Sequence, residues 1–176
     1  YPLSLMAAGS KLYIGETSNV YVLENGKVID QIALELPTTE IPVPIRITAV
    51  HLDRSNKLWM GTESRGVFVY DLATKKFVKY FSPTSAPFFS RISRIRQDRS
   101  GLIWILTKAS GVAVYSPGED RFIQLTKDPF SKSSISSDNC FSMMEDRQGI
   151  IWIGATGDLN KYDREQIRFR HIYHNP

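Results

Sequence analysis

Cysteine is almost missing from this chain. The single thiol among 176 residues, Cys140, has no partner for an internal disulfide, so a disulfide scaffold is excluded while the redox compartment stays open. Long hydrophobic runs are missing too. None approaches the roughly 18 residues that cross a bilayer as a helix. Histidine is scarce, with only His51, His171 and His174. His171 and His174 stand three apart, but nothing nearby completes a metal site, and no metal is expected. No histidine lies close to Cys140 in sequence, which argues against a Cys–His nucleophile. No nucleotide-binding glycine motif, phosphoacceptor-histidine context or helix-turn-helix occurs, so no cofactor is expected. No window of about 11 residues shows apolar spacing at three and four, which disfavours helices. The opening YPLSLMAAGSK has no basic region before an apolar core and does not read as a signal peptide.

What remains is ordinary for a globular protein, at 42% hydrophobic and 23% charged residues. The length allows one domain, 1–176, with a sizeable core. The formal charge is +4, with arginines gathered at Arg91, Arg94, Arg96 and Arg99 and again from Arg164 to Arg170. Interleaved with Ile92 and Ile95, the first group reads as a strand with one wet face rather than a nucleic-acid footprint.

One phrase recurs. KLWMGTESRGVFVYDL starts at Lys57, GLIWILTKASGVAVYSP at Gly101, IIWIGATGDLNKYD at Ile150 and a fainter KLYIGETSNVYVLENG at Lys11. Trp104 follows Trp59 by 45 residues, Trp152 follows Trp104 by 48, and Tyr13 holds the same place 46 before Trp59. Asp53, Asp98 and Asp146 each stand six residues ahead of a tryptophan, and the first copy lacks this aspartate. Gly15, Gly61 and Gly154 follow the aromatic by two, where the third copy has Leu106. Tyr70 and Tyr115 come eleven after their tryptophans, while Tyr162 comes ten after Trp152. A period in the forties signals a repeat architecture, with repeats at approximately 1–45, 46–90, 91–137 and 138–176.

The interior of the second copy selects strands. ITAVHLD, LWMGT, GVFVYD and KFVKYF are short, rich in β-branched and aromatic residues, and separated by turn residues. IIWIG and LIWIL do not alternate, so both faces of those strands are expected to be buried. Trp59, Trp104 and Trp152 are therefore expected to fill the gaps between neighbouring sheets. The following glycine is expected where a backbone approaches closely. The aspartates are expected to build D-R-x-G or D-R-x-N turns by accepting backbone N–H groups, with Gly or Asn supplying positive φ. The fold class is all-β: a β-propeller segment of about four four-stranded antiparallel blades.

These residues resemble the two-component regulator propeller repeat. VHLDRSNKLWMGTESRGVFVYD and MEDRQGIIWIGATGDLNKYD carry its Asp, Trp, Gly and Tyr, with FVKY (77–80), FIQL (122–125) and FRHI (169–172) in its last element. SSISSDNCFSMMEDRQG (133–149) resembles the linker into the next repeat. The resemblance implies a periplasmic sensor region of a hybrid two-component system. Such systems carry a membrane span and a histidine kinase elsewhere in the parent chain, and many answer to glycan-derived oligosaccharides.

The expected function is thus a non-catalytic sensor or ligand-binding segment, with membrane attachment only through a parent chain and no nucleic-acid partner. An oligosaccharide ligand would meet loop aromatics, for which Phe88, Phe89 and Phe130 in Pro/Ser-rich stretches are the candidates. Four blades are fewer than a usual ring, so an uncovered apolar face and self-association through the end blades are expected. A propeller enzyme, a lyase or hydrolase with carboxylates brought together from different blades, and a protein-interaction scaffold are the alternatives.

Overall fold

A computed structural model describes residues 4–34, 44–84, 89, 91–131, 133–163 and 168–172, the last span by its backbone. Among the described residues there is no α-helix. Sixteen strands among the described residues form four sheets, each a meander of four consecutive strands. The first sheet is β1 (Ser4–Ala8), β2 (Lys11–Gly15), β3 (Asn19–Glu24) and β4 (Lys27–Ala33). The second is β5 (Ile47–Leu52), β6 (Lys57–Thr62), β7 (Val67–Asp71) and β8 (Lys76–Phe81). The third is β9 (Ile92–Gln97), β10 (Ile103–Thr107), β11 (Val112–Ser116) and β12 (Arg121–Leu125). The fourth is β13 (Cys140–Glu145), β14 (Ile151–Ala155), β15 (Asp158–Asp163) and β16 (Arg168–Ile172). The all-β class and the four-stranded blades are as the repeat implies.

Contacts divide the chain into two compact units, 1–92 and 93–176. In the first unit, one face of the first sheet packs on one face of the second. Tyr13, Val20, Val22 and Ile32 meet Val50, Leu58, Met60 and Phe68, all nearly sealed from solvent. In the second unit the third and fourth sheets repeat the arrangement. Trp104, Leu106, Val112 and Val114 share a core with Ile151, Ile153 and Ala155. Each sheet therefore has a tryptophan face, carrying Trp or Tyr13, and a counter face formed by the residues either side of that aromatic. The internal contact is always tryptophan face against counter face.

A hydroxyl stitches the two sheets within each unit. Ser4 Oγ donates to the carbonyl of Ile47, and Ser93 Oγ donates to that of Cys140. Strand-edge carbonyls at a dry interface need a donor, and these side chains supply it.

The glycine behind the aromatic has a different neighbour from the expected backbone. A Cβ on Gly15 would lie 2.3 Å from Ser4 Oγ and 2.9 Å from Ile47 Cγ2, so side chains occupy the space. The third copy resolves its missing glycine by exchanging volume. Leu106 fills the position, and Cys140 stands in the same core where the second sheet carries Ile47. The hairpins explain the shift of Tyr162. Thr62 and Thr107 each close a longer loop by donating to the carbonyl of Gly66 or Gly111. In the fourth sheet Ala155 pairs directly with Asp158, leaving a two-residue turn.

Gly111, with Gly66, is among the strictest of these positions. Its φ is +70°, and a Cβ there would stand 2.1 Å from the Leu125 carbonyl oxygen. Gly118 has open space around it. Gly111→Ala is expected to lower unfolding free energy by about 2 kcal/mol or more, combining left-handed strain with a backbone clash. Gly118→Ala is expected to stay within about 0.5 kcal/mol of wild type. Urea unfolding followed by tryptophan fluorescence compares the two, and equal stabilities would contradict the packing described.

Candidate functional site

The repeated aspartates come first, because carboxylates in register are the obvious candidates for chemistry. Each is fully engaged. Asp53 Oδ1 accepts the backbone N–H groups of Ser55 and Lys57 at 2.8 and 3.0 Å, and Oδ2 accepts the Trp59 indole N–H at 2.8 Å. Asp98 accepts the Leu102 N–H, the Ser100 hydroxyl and the Trp104 indole, the last at 2.6 Å. Asp146 accepts the N–H groups of Gln148 and Ile150 and the Trp152 indole at 2.8 Å. The turn-building role is as the sequence implies, with Asn56, Gly101 and Gly149 at positive φ. The indole bond was missed, yet the signal was present: the spacing of six is constant, and the first copy loses aspartate and tryptophan together. The Trp152 indole bond, followed by the N–H groups of Ile150 and Gln148, holds the Asp146 carboxyl below the usual carboxylate range.

The indoles do not all share one environment. Trp59 is 2% exposed and stacks on Phe81 of its own sheet, with ring centroids 6.1 Å apart. Trp104 is 1% exposed and meets Tyr162 of the fourth sheet edge-on at 5.5 Å. Trp152 corrects the expectation of three core indoles. It is half-buried, because its face of the fourth sheet is open within the described residues. That face holds a shallow depression of about 440 Å³ lined by Ser142, Met143, Met144, Trp152, Gly154 and Leu159.

The arginine strand also departs from expectation. In β9 the burial does not alternate: Ile92 and Ile95 are buried, and Arg94 and Arg96 are half-buried rather than on a wet face. Burial, and then the neighbouring Arg94 charge, lowers the Arg96 guanidinium from its ordinary value. Burial, helped by Asp138, pushes the Cys140 thiol up to about 12, so at neutral pH it is no nucleophile. His51 is half-buried in β5. His171 lies on β16, and His174 falls outside the described residues. Among the described residues no three His, Cys, Asp or Glu side chains gather as a metal cluster.

Of the loop aromatics, Phe88 falls outside the described residues. Phe89 is 1% exposed and packs 5.6 Å from Phe81, extending the stack begun by Trp59. An apolar ring in a Pro-rich loop gains more by folding back than by waiting in water, so Phe89 offers no surface to a ligand. Phe130 is the opposite, at 98% exposure. Its turn is held beneath it. Phe130 N–H donates to Asp128 Oδ1, and Asp128 N–H donates to Ser134 Oγ. The segment behind is pinned to the fourth sheet by fully buried Ile135 and by a pair of hydrogen bonds between Ser136 and buried Asn160. Asp138 ties down Lys127 on the other side through a 2.7 Å bond. The linker thus presents a bare aromatic on a fixed base.

Residues 134–157 match the sequence family described as Two component regulator propeller. The chain also resembles solved structures along nearly all its length. One is the extracellular domain of the hybrid two-component system BT4673 from B. thetaiotaomicron, with TM-score 0.71, 22% identity and 99% of this chain covered. Another is that of BT3049 from the same organism, with TM-score 0.65, 20% identity and 99% covered. PorZ, a surface component of the type-IX secretion system of Porphyromonas gingivalis, aligns over 96% of this chain with TM-score 0.72 and 15% identity. The chain spans only 22%, 28% and 26% of those three chains respectively. No curated protein sequence matches it.

Two outcomes test the aspartate–indole unit. Asp98→Ala leaves the buried Trp104 indole N–H and two turn donors without an acceptor, and is expected to cost about 3 kcal/mol in urea unfolding. Asp146→Ala, at the half-buried site, is expected to cost distinctly less. For Asp146 the folded pKa lies below the unfolded one, so its stabilisation is complete above the unfolded carboxylate value of about 3.9 and fades as pH falls through the folded value. The Trp152 indole N–H resonance should therefore titrate with a midpoint below about 3.9. A midpoint above that value contradicts the bond.

Proposed function

We propose that this chain is an extracytoplasmic sensor segment of a hybrid two-component signalling protein, non-catalytic in itself and working in the periplasm. A histidine kinase in the parent chain would read its state. The observation that carries the reading is the family match at 134–157, which falls on the Ile135–Asp138 anchor and on β13 and β14. Likeness to extracellular domains of hybrid two-component systems over almost the whole chain supports it. So does the chemistry of the repeat, since the recurring carboxylates and indoles are spent on turns and packing. Recognition is then left to loops, as is usual where a rigid scaffold carries function.

The ligand class we infer is an oligosaccharide derived from a complex glycan. Phe130 supports this: a fully exposed ring on a hydrogen-bonded turn is the kind of platform on which a sugar face stacks. Lys127 and Asp128 beside it supply polar groups for hydroxyls. A surface-assembly role is the second reading, favoured by the fold match to PorZ.

Isothermal titration of the chain against a panel of plant, host and microbial oligosaccharides tests the proposal. Saturable heat with one class is expected, with Phe130→Ala weakening it at least about tenfold. Heat that is unchanged in Phe130→Ala would move the site elsewhere. Heat with none of the panel, while the longer parent protein responds, would remove the ligand role from this segment.

A further inference from the structure

The last strand of each sheet ends its ladder, and among the described residues no further strand joins it. On the other side the first strands meet each other, Ser4 of β1 reaching Ile47 of β5 and Ser93 of β9 reaching Cys140 of β13. A free strand edge is a row of backbone donors and acceptors that invites another strand, and proteins usually guard it with a bulge or with charge. Three of the four last strands are guarded. β4 carries an extra residue at Ile29, since Val22 pairs with Asp30 and Leu23 with Val28. β8 carries one at Val78, between the pairs Val69–Lys79 and Tyr70–Phe77, and holds Lys76 and Lys79 besides. β16 is unbroken, but two arginines and a histidine stand among its five residues.

β12 has neither guard. It pairs with β11 without interruption, from Val112–Leu125 to Ser116–Arg121, and its one charge is Arg121 at the first position. It lies mid-chain, with whole sheets before and after it. Ile123 stands at its centre and is 52% exposed. Ile123 pairs with Val114, and Val114 with Trp104, so one apolar row crosses the sheet and stops in solvent at this edge. The flanks are charged and exposed: Glu119 and Asp120 precede the strand, and Lys127 follows it.

We propose that the free edge of β12 pairs antiparallel with β12 of a second copy of this chain, about a two-fold axis at Ile123. In that register Arg121 stands opposite Leu125, Phe122 opposite Gln124, and Ile123 opposite its own copy. A second copy is the fitting occupant because the segment complements itself in charge. Antiparallel pairing brings Glu119 of each copy opposite Lys127 of the other, whereas parallel pairing would set acid against acid. Opposite charges and facing apolar residues both stabilise a cross-strand pair. The row of Trp104, Val114 and Ile123 then runs on through the axis, and two four-stranded sheets become one of eight strands. One patch is used twice, so the contact closes at two copies. This goes beyond the sensing role and depends on no ligand.

Sedimentation equilibrium from about 10 to 500 µM reads the association, because a contact of one strand pair is small and weak. Wild-type mass is expected to rise with concentration toward that of a dimer. Ile123→Lys sets two ammonium groups against each other at the axis and is expected to stay monomeric. Glu119→Lys and Lys127→Glu each place like charges across the axis and are expected to weaken the dimer, and the double variant to restore it. This swap also serves should Ile123→Lys unfold, as judged by circular dichroism. Register is read by cross-linking with copper phenanthroline in air. Buried Cys140, at 0% exposure, does not compete. Ile123→Cys is expected to form a covalent dimer at least about tenfold faster than Gln124→Cys, whose two copies would lie diagonally, about 7–8 Å apart. A wild type that is monomeric at the top of the range overturns the proposal, even where a segment of another protein pairs with this edge. Association of Ile123→Lys like wild type, a double variant no better than its single parents, or equal cross-linking at 123 and 124 overturns it equally.

Discussion

The bond between an aspartate carboxylate and an indole N–H six residues later governs how three of the four repeats are built. Neither partner would be tolerated alone where it stands. A buried indole N–H without an acceptor, or a buried carboxylate without donors, carries a desolvation cost of a few kcal/mol. Asp98, 1% exposed, and Trp104, 1% exposed, remove each other's cost in one contact. The same carboxylate gathers the N–H groups of the turn, so the turn's geometry and the ring's position are set together. The first sheet shows the converse. Without the aspartate it carries Tyr13, whose burial raises the phenol's pKa and whose turn relies on Gly9 at positive φ.

From that constraint the two-sidedness of each sheet follows. The indole fixes which strand residues point to which face, and the counter face is left as a smooth apolar surface. The interface then tolerates exchange of volume, provided the sum is kept. Gly15 beneath Ile47 in one unit, and Leu106 with Cys140 in the other, show this tolerance. Leu106 is therefore no weakening of the repeat. Its extra bulk is matched by a small residue one sheet away, a compensation that spans more than thirty residues of sequence.

Much of the fold was legible because periodicity and turn chemistry are local. KFVKYF, read as a strand from residue 76 to 81, coincides with β8. What was not legible depends on where sheets sit. Trp152 has the same neighbours in sequence as Trp104, but burial depends on whether a sheet covers its face, which no local pattern records. Arg94 and Arg96 look like solvent residues by type, and the first strand of a sheet nevertheless half-buries them. Phe89 and Phe130 occupy similar Pro/Ser-rich stretches with opposite fates. Phe89 is 1% exposed because Phe81 and Trp59 offer a stack to join, and Phe130 is 98% exposed on a turn held by Asp128 and Ser134.

The division of labour between strands and loops bears on the sensing role proposed above. Each repeated aspartate is already bonded within its own repeat, so a ligand cannot recruit one without dismantling a turn. Recognition chemistry must therefore come from residues outside the motif, and those differ from repeat to repeat. The 126–139 linker meets this condition: its base is the shared element, through Ile135 and Asp138, while Phe130 at its tip belongs to no repeated position. A scaffold built this way can change its ligand by changing linker tips alone, leaving the aspartate–indole unit and the sheet contacts intact.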